Sequence, residues 1–328
     1  MIPSILEDLL SKTFSEPIRK SVFLITGPPG IGKTAIPAQV ALKLKMDCIT
    51  FALSSCDEVD LRGMPQIVGG KTTWASPLPK TGKGVLILDE LTSAQPSVQV
   101  AAHHIVRAEE NSDMSVGSSW HIILTANGAA DKTFYRAIPA PLRNRLTILK
   151  LDADLESWIK HSKDNNIRSE IISFLRWRPE LLTTKEIPSD GAFPSPRSWW
   201  AASDILSLVV SSQTERELLI GTVGESSSIE FSAYLRLVRE LPSIQNIMKN
   251  QTKEDIPTTP SLLYALVTSL GQHTRMSGES AMQYVSRMPA EFALLYIRDI
   301  RDHFEIGKDL DVRRWIEKHT KLFEREIS

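Results

Sequence analysis

Val22-Phe23-Leu24-Ile25-Thr26-Gly27-Pro28-Pro29-Gly30-Ile31-Gly32-Lys33-Thr34 decides the reading of this chain. A short apolar run predicts a buried strand. It enters Gly27–Thr34, which fits the pattern G-x-x-x-x-G-K-[ST], and a helical pattern follows over Lys33–Lys45. Strand, glycine-rich turn and helix in that order make an anion site. Successive backbone N–H groups turn inward around a phosphate, and the helix N-terminus adds partial positive charge. Lys33 can reach the β- and γ-phosphates, and the Thr34 hydroxyl is placed to ligate Mg²⁺.

Outward from this loop, short apolar runs alternate with helical patterns as far as about residue 151. Further strands are expected at Cys48–Leu53, Val85–Asp89, His121–Ala126 and Thr147–Leu151, with helices at Pro96–Glu109 and Pro139–Arg145. Such alternation predicts a parallel sheet covered on both faces, whose ligands gather at the carboxyl ends of the strands. One insertion breaks the pattern. Pro65–Val68 and Lys71–Trp74 flank Gly69-Gly70, a pair suited to a two-residue hairpin turn. From about 152 onward the apolar residues recur at helical spacing, at Ile167–Leu175, Trp199–Val209, Ile229–Leu241, Ser261–Leu270 and Glu291–Phe304. The expected organisation is therefore an αβα core over 1–151, with a hairpin insert near 65–74, and a helical part over 152–328. Pro37 falls inside the helix after the loop and should kink or delay it.

Two more strand ends carry chemistry. Val85-Leu86-Ile87-Leu88 runs into Asp89-Glu90, where Asp89 can hold Mg²⁺ together with Thr34 and Glu90 can orient and polarise the attacking water. Ile122-Ile123-Leu124-Thr125-Ala126 ends in Asn127, an amide that can hydrogen-bond a γ-phosphate or the lytic water. Just before the last strand, Arg143 and Arg145 offer planar guanidinium forks of the kind that spread charge over transferring phosphoryl oxygens.

The bulk numbers narrow the partners. The chain has 328 residues, 42% of them apolar and 23% charged, with a net charge of −1. That balance gives no electrostatic footprint for nucleic acid. The two cysteines, Cys48 and Cys56, lie in or beside an expected buried strand, which fits a reduced, cytoplasmic protein. The amino terminus lacks the basic and apolar segments of a signal peptide, and no apolar run approaches the ~18 residues of a membrane span.

In their order, Gly27–Thr34, Asp89-Glu90, Asn127 and the Arg143–Arg145 box resemble the P-loop ATPases of the AAA+ superfamily. The chain is similar, more closely, to the MoxR group. That likeness rests on Asp60-Leu61-Arg62-Gly63-Met64-Pro65 with its hairpin, Leu88-Asp89-Glu90-Leu91 and Gln99-Val100-Ala101-Ala102. It extends to Pro194-Ser195-Pro196-Arg197-Ser198-Trp199, and to Gly221-Thr222-Val223-Gly224-Glu225 followed by Glu230-Phe231. It covers about 20–235 well and continues more loosely to about 305, through Pro289–Phe292. Pro37 departs from it, as does Leu146 where the group usually has phenylalanine.

The resemblance implies ATP and Mg²⁺ as ligands, and a homo-oligomeric ring, with a hexamer the expected size, whose sites lie between subunits. Arg145 would be the arginine finger toward a neighbour's nucleotide, with Arg143 second. Asn127 would be the first sensor and Arg197 the sensor arginine of an all-helical lid. The hairpin would face the ring's pore, and hydrolysis would drive remodelling or maturation of a protein client, often one with a von Willebrand factor A domain. A nucleic-acid motor or loader and a slow-turnover assembly scaffold are the alternatives.

Three features are read as structural. Adjacent His103 and His104 point about 100° apart on a helix and have no spaced metal-ligand partner. Arg176-Trp177-Arg178 reads as a solvated helix end rather than a nucleic-acid surface, and Trp199-Trp200 as lid packing. Trp74 on the hairpin either packs at its base or grips a partner.

Overall fold

The computed structural model describes residues 1–16, 22–107, 113–128, 135–165, 167–184, 186–208, 211–239, 241–301 and 309–319. The chain divides into two compact units, Met1–Trp158 and Ile159–Ser328. The first contains helix α1 (Pro3–Ser15), β1 (Val22–Gly27), α2 (Ala35–Lys43), β2 (Asp47–Ala52) and α3 (Glu58–Arg62). The hairpin strands β3 (Met64–Val68) and β4 (Lys71–Ala75) follow, then β5 (Gly84–Asp89), α4 (Pro96–Arg107), β6 (Trp120–Asn127), α5 (Ala140–Arg143) and β7 (Leu146–Lys150).

The strands form a five-stranded sheet in the order β2-β5-β6-β1-β7, with every neighbouring pair parallel. Successive side chains on a strand point to opposite faces, so each interior strand feeds two cores. Phe23, Ile25, Val85, Ile87 and Ile123 pack on one face with Leu6, Leu10 and Phe14 of α1 and Val40 and Ala41 of α2. Val22, Leu24, Leu86, Leu88 and Leu124 pack on the other with Leu61, Val98, Ala102, Ile105 and Leu142. Full burial of each large apolar side chain contributes about 1.5–3 kcal/mol.

Three differences from the sequence reading have physical causes, and one open alternative is resolved. α1 was not anticipated, although Leu6, Leu10 and Phe14 recur every four residues and Pro3 stands at the helix start. β2 is an edge strand rather than a buried one. Its side chains are exposed or half-buried, Cys48 is exposed and Cys56 half-buried, because no neighbour covers its outer side. α2 starts at Ala35, two residues later than expected, so Pro37 falls in the first turn, where a missing N–H costs least. The neighbouring bond from Ala38 N to Thr34 O is stretched to 3.4 Å. Trp74 packs at the base of the hairpin, with the Arg62 guanidinium 3.8 Å above its ring centroid.

The hairpin pairs in the expected antiparallel register, Pro65 opposite Trp74 and Val68 opposite Lys71. Gly63 joins it to α3 at φ +89°, and an added Cβ would sit 1.9 Å from Ala75 O. No side chain fits there.

The second unit is helical. α6 (Leu155–Asp164) crosses the boundary between units and is followed by α7 (Ser169–Trp177), α8 (Pro196–Leu206), α9 (Ser212–Val223) and α10 (Glu225–Arg239). Then come α11 (Ile244–Lys249), α12 (Pro260–Ser277), α13 (Met282–Val285), α14 (Ala290–Ile300) and α15 (Leu310–Lys318). The ends expected at Glu109, Val209 and Phe304 lie outside the described residues. Phe174 of α7 gathers Trp199, Phe231 and Tyr234 at centroid distances of 5.6, 5.0 and 5.4 Å. Trp199 Nε1 donates to Leu181 O at 2.8 Å and the Tyr234 hydroxyl to Ser173 Oγ at 2.6 Å, so both buried polar tips are satisfied.

Arg176 is not at a solvated helix end. Its guanidinium grips Asp299 of α14 with bonds of 2.7 and 2.6 Å and donates to Thr268 of α12 at 2.8 Å, all buried. Trp177 stacks on Tyr234, and Arg178 pairs with Glu180 and Glu230.

Candidate functional site

Register builds the site. β6 lies between β1 and β5, and Gly27 pairs with Asn127 while Leu88 pairs with Leu124. Asp89 therefore stands beside Thr125. On its other side β2 ends with Ala52 opposite Asp89, which brings Ser54, two residues on, to Glu90. Four strand ends thus deliver the glycine loop, Asn127, Thr125, the Asp89-Glu90 pair and Ser54 to one edge of the sheet.

The Lys33 ammonium is buried at 8% exposure. It donates to Gly27 O at 3.0 Å, Pro28 O at 2.7 Å and Asn127 Oδ1 at 2.9 Å, which closes it over the mouth of the loop. Gly30 and Gly32 turn the loop at φ +77° and +100°. Thr34 Oγ1 donates to Asp89 Oδ1 at 2.9 Å. These two hard oxygens suit Mg²⁺, which takes few protein ligands and keeps several waters. Among the described residues no group of three His, Cys, Asp or Glu side chains could hold a metal. Burial and the charge of nearby Arg145 push the His103 imidazole below its ordinary value.

Asp89 and Glu90 are held differently. Asp89 Oδ1 also accepts from the Thr125 hydroxyl and from Glu90 N at 3.1 Å. Glu90 is exposed and sits in the left-handed region, at φ 61° and ψ 40°. For a non-glycine residue this conformation costs on the order of 1–3 kcal/mol. Its backbone N–H, shared between Asp89 Oδ1 and Thr125 Oγ1 at 3.2 Å, helps to hold that geometry. Its carboxylate accepts a hydrogen bond from Ser54 Oγ. Sequence reading missed Ser54 and Thr125. A threonine inside the apolar run Ile122–Ala126 is the available signal for the second, and none marks the first.

Arg143 and Arg145 are brought elsewhere. They precede β7, whose first residue Leu146 pairs with Val22 at the start of β1. The phosphate loop leaves the other end of β1, so about 16 Å of strand separates them at ~3.3 Å per residue. Both arginines are exposed, and Arg145 Nη1 donates to Pro141 O at 3.2 Å. Neither pairs with a carboxylate among the described residues. Arg197 is the second residue of α8 in the other unit, exposed just after the Ser195 cap.

With this geometry in view, residues 23–149 match the model of the ATPase family associated with various cellular activities (AAA). This segment is similar to the ATPase domains of that family. The chain's architecture agrees, a parallel P-loop sheet with flanking helices followed by a helical C-terminal region. Its similar curated proteins include the Lon protease of Methanosphaera stadtmanae, 29% identical over 175 residues, covering 46% of this chain and 20% of that protein. Lon protease 1 of Bacillus subtilis is 25% identical over 169 residues, covering 45% of this chain and 20% of that protein. The chain spans about a fifth of the length of these relatives. Among solved structures, NtrX of Brucella abortus in complex with ADP is similar at 12% identity and a TM-score of 0.41, over 85% of this chain and 65% of that one. A RuvB point mutant of Thermotoga maritima aligns at 15% identity and a TM-score of 0.38, over 87% and 85%. No helix among the described residues is long and apolar enough to cross a membrane.

Proposed function

We propose that this protein is a ring-forming, MoxR-like AAA+ ATPase that hydrolyses ATP to remodel or mature a partner protein. The observation that supports the proposal is a separation of two groups of residues across the sheet. Lys33, Thr34, Asp89, Glu90 and Asn127 converge at the carboxyl ends of the strands, while Arg143 and Arg145 stand at the opposite end of β1 and β7. An arginine so placed cannot serve its own chain's γ-phosphate, but it is free to serve a neighbour's.

In this reading Lys33 exchanges its bonds to the loop carbonyls and Asn127 for phosphate oxygens. Asn127 then turns an amide N–H toward the γ-phosphate or the lytic water. Thr34 and Asp89 would hold Mg²⁺, which when bound neutralises charge on the β- and γ-phosphates. Glu90 leaves Ser54, orients the attacking water and accepts its proton. Arg145 of an adjacent subunit, with Arg143 second, spreads the transition-state charge, and Arg197 senses the γ-phosphate from the helical lid. The hairpin carries exposed Met64, Ile67 and Val68 for contact with the client, while Trp74 braces its base on Arg62.

A pull-down with Glu90→Gln protein loaded with ATP tests this reading. A partner protein retained with ATP and released on hydrolysis by the wild type supports it. Hydrolysis by isolated monomers at the full rate of the assembled protein contradicts the shared site. Stimulation by DNA with steep salt dependence would redirect the function to nucleic acid.

A further inference from the structure

The helical unit holds an unbalanced group of buried and half-buried charges beside a cavity of about 140 Å³. Asp299 of α14 accepts two bonds from Arg176 and a third from Lys163 Nζ at 2.6 Å. Its side chain and that of Arg176 are each 3% exposed, so this pairing lies inside the protein. Lys163 and Asp299 line the cavity with Thr268, Gln272 and Arg275. Asp299 is the sole carboxylate among the described lining residues. Lys163, Arg176 and Arg275 thus set three positive charges against one negative charge.

Buried ions are costly unless matched, and removing their repulsion is worth most where solvent is scarce. The two partners show the imbalance from opposite sides. Burial raises the Asp299 carboxyl, but the charges of Arg176 and Lys163 outweigh it and hold the group below its ordinary range. Burial lowers the Lys163 ammonium, and the repulsion of Arg176 and Arg275 adds to that effect, so the single Asp299 charge does not restore it. The cavity also offers neutral donors. Thr268 Oγ1 accepts from Arg176 Nη1, which leaves its own hydroxyl proton to give, and Gln272 brings an amide.

We infer that this cavity in the helical unit is a binding site for a small oxyanion, held by Lys163, Arg275, Gln272 and Thr268 and separate from the phosphate loop. The volume admits an ion of phosphate or acetate size. A charge-assisted set with one guanidinium is the donor chemistry that such oxygens select. Buried Ile167 and Ile172 form the apolar part of the wall, and Met276 stands exposed at its rim.

The test is calorimetric titration of the full chain carrying Lys33→Ala, which disables the glycine loop as a competing phosphate site. Inorganic phosphate and acetate are titrated separately, with sodium chloride at matched ionic strength as the reference. The expected result is one saturable site per chain, and the stronger of the two probes identifies phosphate or carboxylate as the ligand class. Adding Arg275→Gln should weaken binding about tenfold, with Gln272→Ala weaker in effect and Arg275→Lys partly retained. Arg275 and Gln272 are only half-buried, so these variants should keep the helical circular dichroism of the parent. Absence of saturable heat with both probes overturns the inference, as does binding indifferent to Arg275→Gln or reproduced by chloride.

Discussion

Lys33 Nζ donates a 2.9 Å hydrogen bond to Asn127 Oδ1, joining the glycine loop to the end of a strand ninety-four residues later. The bond exists because β6 is inserted between β1 and β5, a sheet order that no local pattern reveals. It places the amide where a γ-phosphate would displace it. Asn127→Ala should therefore lower hydrolysis by about 10²–10³-fold, in the range of removing one oriented polar group. In the proposed site the loop and Lys33 set ATP affinity, which should change little. Steady-state phosphate release and equilibrium binding of a fluorescent ATP analogue separate the two.

Glu90→Gln should retain ATP and lose turnover by about 10²–10⁴-fold, the usual contribution of a general base. Single-turnover hydrolysis beside nucleotide-binding measurements reads this directly. A variant with wild-type turnover removes Glu90 from the role.

Ser54→Ala should raise basal hydrolysis, because in the proposed mechanism Glu90 must leave this hydroxyl before it can orient the water. Its stability cost should be no more than ~1 kcal/mol, the net worth of one ordinary hydrogen bond. Thermal unfolding checks the stability and phosphate release the rate. A fall in rate with unchanged unfolding would show that Ser54 positions Glu90 productively instead.

Asp299→Asn should destabilise the helical unit by about 3–5 kcal/mol, since Arg176 and Lys163 stay buried without their countercharge. The pH dependence follows from the direction of each shift. The Asp299 carboxyl titrates below its unfolded value of about 3.9, so its contribution is present above that pH and lost as pH falls through the lower folded value. Lys163 titrates below its unfolded value of about 10.4, so it opposes folding at neutral pH and that penalty is relieved as pH rises through the alkaline window. On going from neutral to acid pH, urea midpoints should fall more steeply for the wild type than for Asp299→Asn.

The elements that the sequence disclosed are those whose signal is local. β1, β5 and β6 are near-continuous apolar runs because both of their faces are buried; Asp89 and Asn127 are the last residues of β5 and β6, and Glu90, Lys33 and Thr34 follow the ends of β5 and β1. Cys48 misled because an edge strand and an interior strand share β-forming residues and differ only in their neighbours. Ser54 and Thr125 stayed hidden because their roles arise from register across β2, β5 and β6. Arg176 stayed hidden because its partner Asp299 lies far away in sequence, and a charged triplet on a helix gives no sign of which member turns inward.

In the proposed ring, one chain's Lys33 works with another chain's Arg145. Mixing Lys33→Ala and Arg145→Ala subunits tests it most directly, with assembly of each variant checked by light scattering. Each variant alone should be inactive. A random one-to-one mixture should regain about a quarter of wild-type hydrolysis, because about one interface in four pairs an intact lysine with an intact arginine. No recovery from correctly assembled mixtures, or full turnover by Arg145→Ala alone, would contradict the shared site.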